Sequence, residues 1–171
     1  MRPIRTIFLP TALLLMASLP FLSTSCTKDE PDLRDEIIGK YDYTVKIYVD
    51  NGTDLVYYGD QGSVGDITGT MRVIKSTSET GVLDFYDGNV LMFSGINVTD
   101  AGNAIVFDIP VQEAWIGPGI FEVTGYDYWN VGSTAFHGAF LRSDDSVEVA
   151  FSARVMDIES GLVMVLTAFR K

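Results

Sequence analysis

His137, in "FHGAF", and Cys26, in "LSTSCTKDE", are the only histidine and the only cysteine of the chain. A Ser-His-Asp or Cys-His unit needs a nucleophile whose proton an imidazole can take. Most zinc sites need several Cys or His ligands. One residue of each type meets neither requirement, so His137 reads as a half-buried strand residue with a satisfied hydrogen bond. No Gly-x-Ser-x-Gly elbow, phosphate loop or dinucleotide fingerprint is present. Acids are plentiful, and composition alone leaves room for a two-carboxylate glycosidase, but no pair is singled out. "DNGTD" at Asp50 to Asp54 has carboxylates at both ends and a central Gly. It lacks the further acids and the distal Glu of a calcium loop, and a hairpin turn explains each of its residues. No catalytic residue, metal or cofactor is expected.

The remaining local chemistry is aromatic. "YDYWN" places Tyr126, Asp127, Tyr128, Trp129 and Asn130 together. Aromatic faces beside Asp and Asn suit a sugar ring and its hydroxyls. They suit equally the rim of a pocket for an apolar ligand, which is mostly apolar with few polar groups. A third reading has Tyr126, Tyr128 and Trp129 capping the domain and binding nothing. Trp115, in "EAWIGPG", is expected beside them because the Gly-Pro-Gly forces a tight loop.

These residues need elements to hold them, and the first element is a targeting segment. Arg2 and Arg5 precede an apolar run from Ile7 to Phe21, then Ser23, Thr24, Ser25 and Cys26 follow. The run is short for a spanning helix of roughly 20 residues and fits a secretory signal over residues 1–25. A small residue before Cys at that place resembles a bacterial lipobox, although Ser23 stands where the pattern has Leu. The resemblance implies lipidation of Cys26, and multiple acyl chains would anchor the chain stably. Residues 26–38 are charged and read as a solvated tether. Within it Lys28, Asp29 and Glu30 resemble the export signal of Bacteroidetes lipoproteins, which implies an outer-membrane, cell-surface location.

The net charge of −11 argues against nucleic acid, whose phosphates require a basic surface. Signal removal would take away Arg2 and Arg5 and no acid, making the mature chain more acidic still. The membrane is therefore expected as a partner only through the N-terminal lipid, and no protein partner is identified.

Residues 39–171 alternate with period two. Tyr41, Tyr43, Val45, Ile47 and Val49 share one face of "YDYTVKIYV". Further strands are expected at 55–58, 66–76, 81–86, 89–98, 104–110, 119–126, 134–141, 146–155 and 162–169, with Gly, Asn and Asp in nearly every gap. A single helical turn is expected near 32–38. "LVMVLTAF" is apolar on both faces, so an exposed final edge would invite aggregation, and closure removes it. The expected fold is all-β, an antiparallel up-and-down barrel of about eight to ten strands, the alternative being a two-sheet sandwich.

"IIGKYDYTVKIYV" resembles the first strand of a lipocalin, with Tyr41 in place of its Trp, and "AFRK" supplies the arginine of the last strand. The resemblance implies that Arg170 stacks on Tyr41 and closes the barrel base. From Gly39 to Arg170 the "GKY", "FDIP" and "FHGAF" segments occur in the order found in calycin-like lipoprotein domains of Bacteroidetes, which the chain resembles. "DSV" at Asp145 to Val147 resembles an O-glycosylation acceptor in the same group and implies a glycan on Ser146. Taken together, a non-catalytic lipoprotein barrel is expected, binding a small apolar ligand or a glycan at its open end. The alternative is a structural or protein-interaction module with a filled barrel. Convergence of Tyr41, Tyr43, Phe85, Phe93, Phe107, Phe121 and Phe151 would favour the second.

Overall fold

The computed structural model describes residues 31–59, 65–116, 119–155 and 158–171. Cys26, Lys28, Asp29 and Glu30 lie outside the described residues. A one-turn helix α1 (Arg34–Ile37) leads into thirteen strands: β1 (Gly39–Asp50), β2 (Leu55–Tyr57), β3 (Ile67–Lys75), β4 (Leu83–Asp87), β5 (Val90–Asp100), β6 (Ala104–Asp108), β7 (Gln112–Ile116), β8 (Gly119–Gly125), β9 (Trp129–Val131), β10 (Thr134–Phe136), β11 (Gly138–Leu141), β12 (Ser146–Val155) and β13 (Ile158–Arg170). Sequential strands pair antiparallel around the sheet, and β13 returns to β1 in register from Tyr41↔Arg170 to Val49↔Leu162. The result is a closed up-and-down barrel of eight strands, not a sandwich.

Ten of the thirteen strands form the eight walls, because two walls are broken at mid-height, while β2 pairs with β1 off this path and β9 pairs with β10. β6 pairs with β11 (Phe107↔Gly138), and β7 pairs with β8 (Ala114↔Phe121). β12 meets β11 along its first half, from Ser146 to Val149, and β8 along its second, from Phe151 to Arg154. β6 and β7 thus form one interrupted wall, and β8 and β11 form the next. The first break has a local cause: Pro110 has no N–H to give to the ladder. Gly95, on the neighbouring β5, adopts φ 69°, which only Gly takes readily. Beyond the break a side chain stands in for the missing ladder. The Gln112 amide accepts the Ser94 N–H at 2.8 Å and donates to the Ser94 carbonyl at 3.2 Å. The second break expels residues 127–136 from the wall, and β9 and β10 form a separate two-stranded hairpin there (Phe136↔Trp129). β7 and β9 were not among the expected strands, and the strand expected at 134–141 is divided at His137.

The interior is packed with aromatic rings. Tyr41, Phe85, Phe93, Phe107 and Phe151 are at most 1 % exposed, Tyr43 is buried, and Phe121 is partly buried against them. Phe93 meets Phe151 at 5.2 Å between centroids and Phe85 at 6.2 Å, both edge-on, and Phe85 meets Phe107 in the same way at 5.8 Å. That geometry suits the ring quadrupoles. A second, smaller cluster lies on the outer face, where Ala150, Val163 and Val165 are covered by Tyr48, Leu55 and Tyr126. This cover accounts for the two apolar faces of the last strand.

The base of the barrel is closed by residues expected to be solvated. Ile37 is fully buried, and Leu33 and Ile38 pack against the core. Asp32 pairs with Arg34 at 2.6 Å and with Lys75 at 2.8 Å. Arg142 binds Glu36 at 2.7 Å and Asp100 at 2.8 Å. The compact unit accordingly begins at Pro31, and the expectation of a tether over 26–38 is corrected: apolar Leu33, Ile37 and Ile38 draw its last residues onto the barrel.

Candidate functional site

The break in the walls is where the polar and aromatic residues of interest collect. His137 is held there by backbone and side chain together. Its N–H donates to the Phe107 carbonyl at 3.2 Å, and its carbonyl accepts the Ala150 N–H at 2.8 Å. Its Nδ1 accepts the Ile109 N–H at 3.0 Å, a donor that the break would otherwise leave without a ladder partner. In the neutral ring the proton then sits on Nε2, which is 3.6 Å from Asp127 Oδ1, while Nδ1 is 3.5 Å from Asp108 Oδ1. The imidazole lies against Gly125, where a Cβ would stand 2.0 Å from Nδ1. These contacts make His137 a clamp between the two broken walls.

Beside the clamp lies an open cleft of about 490 Å³, lined by Asn97, Asp108 and Thr124 as well as His137, with Pro110 and Val111 on its apolar side. Its groups can hydrogen-bond a polar ligand. Among the described residues no group of three or more His, Cys, Asp or Glu side chains is placed to hold a metal ion.

The aromatic segment does not rim the barrel mouth. Tyr126 turns onto the outer wall, its hydroxyl donating to Asp50 Oδ2 at 2.9 Å, and that carboxylate raises the Tyr126 pKa. Tyr128 is 41 % exposed and meets Trp129 edge-on at 6.1 Å. Burial, then the nearby charge of Glu148, raises the Tyr128 pKa. The Trp129 Nε1–H is buried and has no hydrogen-bond partner among the described residues. Asp127 and Asn130 are exposed. Trp115 stands apart from this segment: it faces Ile120 across the β7–β8 hairpin, at the other end of β8 from Tyr126, a distance of about 20 Å at strand rise. The expectation of one aromatic cluster is corrected, because β8 runs the length of the wall between its two parts.

Arg170 lies with Cζ 5.1 Å from the Tyr41 ring centroid and 5.6 Å from that of Phe140. Its guanidinium also donates to the Ile38 and Glu36 carbonyls and pairs with Asp145 at 2.7 Å. Burial pushes the Tyr41 hydroxyl up to about 12, and it donates to the Ile37 carbonyl. Ser146 is 2 % exposed at the start of β12. The expected glycan there is corrected: on the folded domain its hydroxyl is not presented to solvent.

Sequence reasoning missed Arg142, Asp32 and Lys75 at the base and Gln112 at the seam. Charges spaced far apart in a chain carry no local sign of pairing, and a glutamine in a short strand resembles any solvent-facing residue. Compared with known protein families, with curated proteins and with solved structures, the chain matches none.

Proposed function

We propose that this chain is a non-catalytic lipoprotein of the outer membrane, anchored through Cys26, whose calycin-like barrel is a filled scaffold displaying its outer surface to a partner. The observation that carries this reading is the interlock of Phe85, Phe93, Phe107 and Phe151 inside the barrel, with Tyr41 and Tyr43 buried beside it. Rings in edge contact occupy the space that an apolar ligand inside the barrel would need. This supports the interaction module over a ligand carried within. A charged segment around Lys28, Asp29 and Glu30, directly after Cys26, supports export to the cell surface.

The test is a thermal-shift series with fatty acids, haem and apolar dyes. A ligand that binds only the folded state must raise the melting temperature. The filled scaffold is expected to show no shift; a saturable rise with any of them would return the internal-ligand reading. A second reading, a glycan held on the outer wall, is favoured by the cleft beside His137 and Asp127. A saturable shift with neutral oligosaccharides, lost in Asp108→Asn, would support it.

A further inference from the structure

Among the described residues, Arg34, Lys75, Arg142, Arg154, Arg170 and Lys171 each lie within ion-pair distance of a carboxylate. In a chain with 23 acidic and 12 basic residues, that is the ordinary fate of a cation. Among the three described cations that depart from it, Lys46 stands over the Tyr57 ring, and the other two are Lys40 and Arg72. These two stand directly opposite each other on β1 and β3, both exposed, and neither meets a carboxylate among the described residues. Like charges at facing positions of an antiparallel pair repel, so strand pairing gives no reason for them. Arg72 is also held in place: its Cζ lies 5.5 Å from the centroid of the Tyr86 ring, a cation–π contact that fixes the guanidinium along the wall.

Both side chains line a cleft of about 280 Å³ that continues over Met71 to Gly88 and Asn89 at the β4–β5 turn, and none of its lining residues is acidic. The acids closest in sequence already have partners, one of which, Thr70, belongs to the cleft's own lining. Asp42 takes Lys171 Nζ at 2.8 Å and the Thr70 hydroxyl at 3.1 Å, and Asp87 accepts the Tyr43 hydroxyl at 2.8 Å.

We propose that Lys40 and Arg72 form a binding site for an oxyanion: a phosphate, sulfate or carboxylate group carried by a free small molecule or by a lipid headgroup. Arg72 supplies a planar fork of N–H donors, Lys40 a point charge, and Asn89 an amide donor at the rim. A bound anion would turn the facing repulsion into shared attraction. The site lies on the outer wall and depends neither on the filled interior nor on the lipid anchor.

The test compares wild type with Lys40→Gln, Arg72→Gln and, as a control cation elsewhere, Lys46→Gln. Melting temperatures are read while phosphate, sulfate or glucuronate replaces chloride at constant ionic strength. In parallel, flotation is measured with phosphatidylcholine vesicles with and without phosphatidylglycerol. A saturable rise with an oxyanion is expected, weakened about tenfold in each site variant and unchanged in Lys46→Gln. A soluble-anion response without vesicle preference identifies a free ligand. Preference for phosphatidylglycerol that both site variants lose identifies a headgroup. Absence of both responses overturns the proposal, as does a response that both site variants retain. Lys40→Gln removes a repulsion and is expected to melt no lower than wild type in chloride, so loss of binding in it is not loss of fold.

Discussion

At Gly125 a Cβ would stand 2.0 Å from His137 Nδ1 and 2.2 Å from Cγ, and Cγ sits next to the backbone, where a ring has little freedom to swing away. Gly125→Ala is therefore expected to destabilise by about 1–3 kcal/mol, the usual cost of overpacking. His137→Ala removes the acceptor of the Ile109 N–H, which has its own cost of about 1–3 kcal/mol. In the double variant the clash is gone, so the two costs should not add. A double-mutant cycle by urea denaturation reads the coupling, and additive costs would show that the ring does not press on Gly125. Arg170 makes a different kind of contact, in which one guanidinium reaches two rings, two carbonyls and a carboxylate. An ammonium cannot reproduce that planar fork. Arg170→Lys should then be nearly as destabilising as Arg170→Ala, about 1–3 kcal/mol. A lysine variant of wild-type stability would show that charge alone closes the base.

Elements show where tertiary contacts took over from local pattern. The Gln112 amide gives Ser94 the two hydrogen bonds a strand would have given. Gln112→Ala should leave the fold intact while the Ser94 amide exchanges with solvent much faster, measured by native-state hydrogen exchange; unchanged protection there would mean that β7 itself seals the seam. The β9–β10 hairpin lies over the outer wall near Glu148, whose pKa is raised by burial and then by Asp144. The folded state holds that proton to higher pH than the unfolded chain does. Between the two pKa values it binds more protons, and stability falls as pH rises through that window. Glu148→Gln should melt above wild type at neutral pH and level with it in acid, below the unfolded pKa; equal melting at both would refute the burial. β1 and β12 were legible because their alternation runs for nine residues, long enough for one face to declare itself, and β13 because it is an almost continuous apolar run. β7 and β9 were not, because strands of five and three residues carry too little pattern. Nor does "YDYWN" itself say on which side of the wall it falls. That depends on where β8 breaks, and the break is held by Gly125 meeting His137 from the other side of an insertion.

For the whole molecule, one barrel must choose between a container and a scaffold, and the choice lies in how its inward residues meet. Closure was legible from the two apolar faces of the last strand, and candidate inward residues from the alternation. Their contact was not, since ring positions depend on strand tilt and register around the full circle. The interior is centred on Phe93, which touches Phe85 and Phe151 and is fully buried. Removing its ring should cost about 3–5 kcal/mol, the usual loss for Phe→Ala in a core, which a domain of ordinary stability survives. It should also leave a dry apolar void of the kind that takes up benzene-sized molecules. Phe93→Ala is thus expected to gain a saturable rise in melting temperature with benzene or toluene, where wild type shows none. The gain would mark Phe93 as the residue that makes this barrel a scaffold. If wild type responds as strongly as the variant, the rings do not fill the interior, and the barrel is a container after all.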